Sequence, residues 1–216
     1  MRFSNECLQN LELLVSKRMS AKRFSHTLGV VKASLFIAEH FPKIDKSELH
    51  AAALLHDVAK EIDTSLGMSI LKAIDPPVSE ADLLCHPTHH ALIAPEIIKR
   101  DFPEFATESV LSAVKNHTTA SPDMSDFDMI IFISDYVEEG RGYKDCVALR
   151  EKLFGKLSAS RDSEEARAHL CDAVIECLDN TIRFVLARGL YLHERTVLAR
   201  NQLLASRPMP LNTEEK

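Results

Sequence analysis

Apolar side chains return every three or four residues along most of this chain, the spacing of helices with one buried face. Phe24, Leu28, Val31, Leu35 and Ala38 form one such stripe. After the turn at Pro42, Ser47 suits the N-cap of a helix that carries Ala51, Leu54, Leu55 and Val58 and ends near Glu61. Pro76-Pro77 interrupts the pattern, and Ser79 can open a short helix beyond it. Thr88 to Arg100 continues through Leu92, Ile93 and Ile97, and Pro103 marks the next turn. Thr107 suits the cap of a helix running to about His117, and Ser125 with Asp128 three residues on is a capping signal for Met129 to Glu138. A long helix, Ser163 to Arg188, puts Leu170, Val174, Leu178, Ile182 and Val185 on one stripe and stops at Gly189. The one stretch with a claim to be a strand is Met129-Ile130-Ile131-Phe132-Ile133, whose cap and continuing helical spacing favour a fully buried helix. The chain therefore reads as all-α.

Composition narrows this further. With 216 residues, 45% of them hydrophobic, 6 Gly and no Trp, the chain supports one core rather than two full-sized ones and is not a disordered or low-complexity sequence. We expect one domain over residues 1–206, with residues 207–216 fraying. Lys plus Arg total 26 against 32 Asp plus Glu, so the net charge of -6 has the wrong sign for tracking a nucleic-acid backbone. Apolar stretches are broken by charges well short of the roughly 18 residues a membrane span needs. Met1-Arg2-Phe3 also leads into no signal-peptide apolar region, so the expectation is a cytoplasmic protein without nucleic-acid or membrane partners. The five cysteines are scattered with no Cys-x-x-Cys, which suits buried, reduced thiols. No Gly-rich phosphate loop, Walker lysine or nucleophile elbow is present, so phosphate chemistry here would need a metal.

Histidine is the unusual residue, with ten copies. His56-Asp57 follows the wholly apolar run Ala51 to Leu55, where an ionisable pair is costly unless an ion or a hydrogen-bond network compensates it. Taken alone, the pair equally suits a helix-end histidine with Asp57 bonded to Lys60. His26 shares a stripe with Val30, Ala33 and Ile37, His117 closes a helix with Val110 and Val114 on its inner face, and Asp135 lies on the buried helix four residues after Ile131. His86 precedes Pro87 at the mouth of another helix. Four histidines and two aspartates, each inward or at a helix end, fit one shared centre of two first-row divalent ions, with Asp57 bridging. His89 and His90 read as helix-surface residues, and His40, His50, His169 and His193 as exposed or hydrogen-bonded ones.

Four runs carry a resemblance: Arg23-Phe24-Ser25-His26-Thr27-Leu28-Gly29-Val30, Ala53-Leu54-Leu55-His56-Asp57-Val58-Ala59-Lys60, Asn116-His117-Thr118 and Ser134-Asp135-Tyr136-Val137-Glu138. In this order and at these intervals the sequence resembles the HD-domain phosphohydrolase superfamily, and within it the YqeK family of symmetrical bis(5'-nucleosyl)-tetraphosphatases. The match extends to Leu83-Leu84-Cys85-His86, Arg141 and Arg200-Asn201, covering about residues 20–205. The resemblance implies a single-domain HD-type helical bundle in which His26, His56, Asp57 and Asp135 form the basic metal site. His86 and His117 would hold a second ion. It implies iron, although an imidazole-carboxylate shell equally suits manganese or zinc. Gly140 stands where the family usually has proline, and Ser134 replaces a common alanine.

Such a centre suits in-line displacement at phosphorus, with Asp57 and Lys60 in the catalytic roles. Arg23, Lys60 and Arg141 supply positive charge for phosphate, and the Thr118 hydroxyl can donate to it. The expected ligand is a small dinucleoside polyphosphate or nucleotide, and a homodimer is compatible with this reading. The leading activity is cleavage of diadenosine tetraphosphate into two ADP. The alternatives are an HD nucleotidase or dNTP phosphohydrolase, and a non-catalytic, metal-stabilised nucleotide sensor.

Overall fold

A computed structural model describes residues 1–207 of the chain. Among these residues the structure is helical throughout, with no strand: α1 (Asn5–Ser16), α2 (Ala21–Ala38), α3 (Lys46–Leu55), α4 (Thr64–Ala73), α5 (Glu80–Leu84), α6 (His89–Asp101), α7 (Glu108–Asn116), α8 (Asp126–Val137), α9 (Lys144–Ala159), α10 (Ser163–Ala187) and α11 (Glu194–Ala205). Short 3-10 turns occupy His86–Thr88 and Pro103–Phe105. None of the described helices is long and apolar enough to cross a membrane. Of the segment expected to fray, residues 208–216 lie outside the described residues, while Arg207 donates to Asp172.

The centre is a ring of four helices: α2 packs on α3 and α8, and α7 packs on α3 and α8 from the other side. α3 makes this possible because its inner residues are small or fully buried, with Ala51, Ala52, Ala53, Leu54 and Leu55 all inaccessible. Alanine lets neighbouring helices approach closely, and each buried leucine removes a whole side chain from water, about 1.5–3 kcal/mol. α1 covers α3, α6 lies on α7 with α4 against it, and α10 joins α8 to α9 and α11. Met129 through Ile133 are all buried on α8, whose Ser125–Asp128 capping box fixes its start, so the apolar run is a helix as the cap indicates.

Several local expectations change. Asp45, not Ser47, caps α3: its carboxylate accepts from the amides of Ser47 and Glu48. Ser47 is instead buried and accepts from the amides of Arg2 and Phe3 at 2.9 and 3.0 Å, pinning the N-terminal segment. α3 stops at Leu55, well short of Glu61, because the chain turns at His56 to carry Asp57 into the centre, with Lys60 exposed at its edge. On α2 the inner stripe is the one containing Val30, Ala33 and Ile37; Leu28 is 37% exposed, so the stripe through Phe24 and Leu28 is displaced outward. Leu170, Val174 and Leu178 of α10 are buried, but Ile182 and Val185 only partly so, since the last turns run past the core. α1, α4, α9 and α11 were not delineated by the sequence pattern; α4, for example, buries only Gly67 and Leu71.

Candidate metal centre

Helix ends build the site. His56 is the C-cap of α3 and His117 that of α7, positions where the last turn's carbonyls lack amide partners. Each ring uses one of them: His56 Nδ1 donates to Ala53 O at 2.7 Å, and His117 Nδ1 donates to Val114 O at 2.6 Å. A carbonyl can only accept, so in the neutral rings Nδ1 carries the proton and Nε2 offers a lone pair. His26 lies inside α2, and its Nδ1 faces Glu138 Oε1 at 3.1 Å. His26, His56 and Asp135 bring ligand atoms within 4.8 Å of one another, and so do Asp57, His90 and His117.

Asp57 faces both groups. Its Oδ2 lies 3.4 Å from His56 Nε2 and 3.8 Å from His26 Nε2, and its Oδ1 lies 3.2 Å from His90 Nε2 and 3.6 Å from His117 Nε2. His26 Nε2 is also 2.9 Å from Asp135 Oδ1, yet it and His56 Nε2 are buried with no hydrogen-bond partner among the described residues. His90 and His117 point Nε2 at Nε2 across 3.1 Å. Lone pairs turned on carboxylate oxygens and on one another call for positive charge between them. The residues therefore fit divalent ions with nitrogen and oxygen ligands.

The electrostatics say the same. Burial by itself would raise the Asp57 carboxyl, but the surrounding imidazoles of His56, His117 and His90 hold it far below the usual carboxylate range. Burial opposes a proton on His56, yet Asp57 beside it raises the pKa above the ordinary histidine value. His90 goes the other way: burial pushes it down to about 4, leaving a neutral ring with a lone pair to offer. Asp135 is held low against the effect of burial by His26 and by Arg141, whose guanidinium donates to it at 2.6 Å. Arg23 donates to Asp57 Oδ2 at 2.7 Å, and Lys60 Nζ lies 3.2 Å from His90 Nε2. Desolvation, with Arg23 and Arg141 nearby, pushes the Lys60 ammonium below its ordinary value against the pull of Asp57 and Asp135.

The family described as HD domain matches residues 23–140, more than half of the chain, which include His26, His56, Asp57, His90, His117 and Asp135. The chain belongs to the HD domain family. Among similar proteins, the symmetrical bis(5'-nucleosyl)-tetraphosphatase of Halalkalibacterium halodurans is 28% identical over 193 residues, 88% of this chain and 94% of that protein. The protein of the same name from Bacillus subtilis is 26% identical with the same coverage of both chains. The crystal structure of a predicted HD superfamily hydrolase involved in NAD metabolism from Clostridium acetobutylicum matches with a TM-score of 0.78 and 28% identity, covering 95% of this chain and 99% of that one.

Within the HD domain, His26, His56, Asp57, His117 and Asp135 come together, while His86 does not. His86 is exposed in the turn before α6 and stacks on His89 with ring centroids 5.1 Å apart. His90, expected on the helix surface, is buried and takes the place beside His117. The signal for it was in the sequence: His90, Ile93 and Ile97 recur at steps of three and four, so the stripe that buries α6 begins with this histidine. Glu138 was the other omission, a buried carboxylate that closes α8 and faces His26. Two cavities open beside the HD residues. One, of about 480 Å³, is lined by His117, Thr118, Asp135, Tyr136, Phe184 and Tyr191; the other, of about 920 Å³, by Arg23, His26, Glu138, Arg141 and Tyr143 among others.

Proposed function

We propose that this HD protein is a metal-dependent phosphohydrolase that cleaves diadenosine tetraphosphate symmetrically into two ADP in the cytoplasm. The observation that carries the reading is the shared carboxylate: one oxygen of Asp57 faces the His26, His56 and Asp135 group and the other faces the imidazoles of His90 and His117. His26, His56 and Asp135 would hold one ion and His90 and His117 another, with Asp57 between them. The set suits iron, manganese or zinc, and the family resemblance favours iron. Two such ions supply Lewis-acid charge and an activated water for in-line attack at phosphorus.

The chain's own residues do the rest. Arg23, Lys60 and Arg141 ring the carboxylates and offer charged donors to the four phosphates. Thr118, whose Oγ1 is buried without a partner among the described residues, offers a hydroxyl at the mouth of the apolar cavity. Tyr136, Phe184 and Tyr191 give that cavity the aromatic surface a nucleoside base stacks on, while the larger, more charged cavity leaves room for the second half of the substrate. The likeness to two proteins named symmetrical bis(5'-nucleosyl)-tetraphosphatase supports the choice of substrate.

Water adds to one inner phosphorus and the bond from that same phosphorus to the central bridging oxygen breaks, so the bridging oxygen leaves with the other inner phosphate, the water's protons are released, and both products are ADP. Chromatography after incubation with diadenosine tetraphosphate should give ADP alone, and in ¹⁸O-labelled water each cleavage should place one label in one of its two ADP products. AMP plus ATP would overturn the symmetrical assignment. Phosphate released from mononucleotides alone would favour an HD nucleotidase.

A further inference from the structure

The imidazoles of the centre are oriented by two different devices. His56 and His117, at helix ends, bond to carbonyls three residues back on their own helices. His26 has no such recourse, because inside α2 the carbonyls of the preceding turn are occupied by the helix ladder. Its acceptor comes from α8 instead: Glu138 Oε1 stands 3.1 Å from His26 Nδ1.

Glu138 is itself held. Its side chain is 4% exposed, and its Oε2 accepts from the Gly140 amide at 2.6 Å. Two glycines make room for it: a Cβ on Gly29 would overlap Glu138 Oε2, and one on Gly140 would lie 2.9 Å from the same oxygen. Arg150 fixes the backbone here, donating to the main-chain carbonyl of Glu138 at 2.7 Å, so the residue is held at its backbone as well as at its carboxylate. A buried carboxylate with this many arrangements around it is too specific to be a by-product of packing.

We propose that Glu138 is the positioning residue for His26: it holds the proton on Nδ1 and so presents the Nε2 lone pair to the ion shared with His56 and Asp135, with the Gly140 amide and the side-chain gap at Gly29 fixing Glu138 in turn. This rests on the reading of the cluster as a metal centre. Gly140 is integral to the device, since a proline there would carry no amide hydrogen to donate. Partners of this kind typically change metal affinity or activity about 10- to 100-fold when removed.

Two readouts test it, neither of which needs turnover. Long-range ¹H–¹⁵N NMR of the metal-free protein at mildly alkaline pH reports which His26 nitrogen carries the proton. The unmodified chain should carry a proton on Nδ1 whether or not Asp135, 2.9 Å from Nε2, draws a second one there, and Glu138→Gln, whose amide can also donate to Nδ1, should shift His26 toward the tautomer without it. Manganese titration should show the tightest site of Glu138→Gln weakened about 10- to 100-fold, with Gly140→Pro changed in the same direction. His26 found with no proton on Nδ1 in the unmodified protein overturns the proposal without recourse to any variant. Unchanged tautomer and manganese affinity in Glu138→Gln would overturn it too. If the unmodified protein binds no manganese, iron or zinc, the metal-centre reading fails by itself, and the tautomer measurement still decides the role of Glu138.

Discussion

Two buried clusters in this chain combine histidine and aspartate, and they are built to opposite ends. In the first, Asp82 on α5 accepts from Ser79 N and Oγ, from His193 Nε2 at 3.0 Å and from the Arg195 guanidinium, while His193 Nδ1 accepts from the Arg195 amide. Both carboxylate oxygens and both imidazole nitrogens have partners, so the cluster is complete and ties α5 to the start of α11. The second, around Asp57, leaves the Nε2 atoms of His26 and His56 buried and unpartnered among the described residues. A satisfied buried network holds a fold together, whereas an unsatisfied one signals that something else is to be bound.

The comparison breaks most severely at Asp57. Asp57→Ala should cost more than the roughly 100-fold at the upper end for an outer partner of a metal site, and should disturb both ions, because each cluster loses a carboxylate oxygen. Full activity and full metal content in that variant would contradict the bridging role. Lys60→Ala comes next: loss of a charged hydrogen bond to phosphate should weaken binding or turnover by about 1.5–3 kcal/mol, with metal content preserved. If metal is lost instead, Lys60 supports His90 rather than the substrate.

A smaller difference separates two neighbouring histidines. His90→Ala should lose one ion and about 10- to 100-fold in activity, whereas His86→Ala should keep both ions, since His86 is exposed and stacks only on His89. The reverse result would return His86 to the site.

Asp82→Asn sharpens the comparison from the other side, with the least effect on catalysis. Unfolding midpoints should show about 1.5–3 kcal/mol of lost stability at neutral pH and no change in metal content. Burial alone would raise the Asp82 carboxyl, but Ser79, Arg195 and His193 together hold it below its ordinary value of 3.8. Its contribution is therefore complete above that value and disappears as pH falls through the lower folded-state pKa, where variant and unmodified protein should converge. A variant deficit that persists undiminished to the acid side would mean the aspartate acts by shape alone.

Much of this was legible because it is local. Caps such as Thr107 and Ser125, the stop at Gly189, and the inward placement of His26, His117 and Asp135 follow from the spacing of residues along one helix. What was missed depends on tertiary neighbours. Asp45 wins over Ser47 as a cap because the serine hydroxyl is engaged by the N-terminal segment. His90 rather than His86 lies beside His117 because the turn at His86–Thr88 leaves the earlier ring exposed and only the helix beyond it enters the core. Glu138 ends one of the runs that carry the resemblance, but its role was not legible there, as it depends on Gly29 of α2 and Gly140 in the turn after α8 both abutting its carboxylate.

The central claim is that the imidazole nitrogens turned toward the two oxygens of Asp57 are the ligands of two ions. Metal analysis of protein purified without oxygen, set beside His90→Ala and Asp82→Asn, tests it most directly. The account predicts two transition-metal ions per chain in the unmodified protein, one in His90→Ala and two in Asp82→Asn. A folded, active protein carrying no ion, or one whose metal content is indifferent to His90, would contradict it.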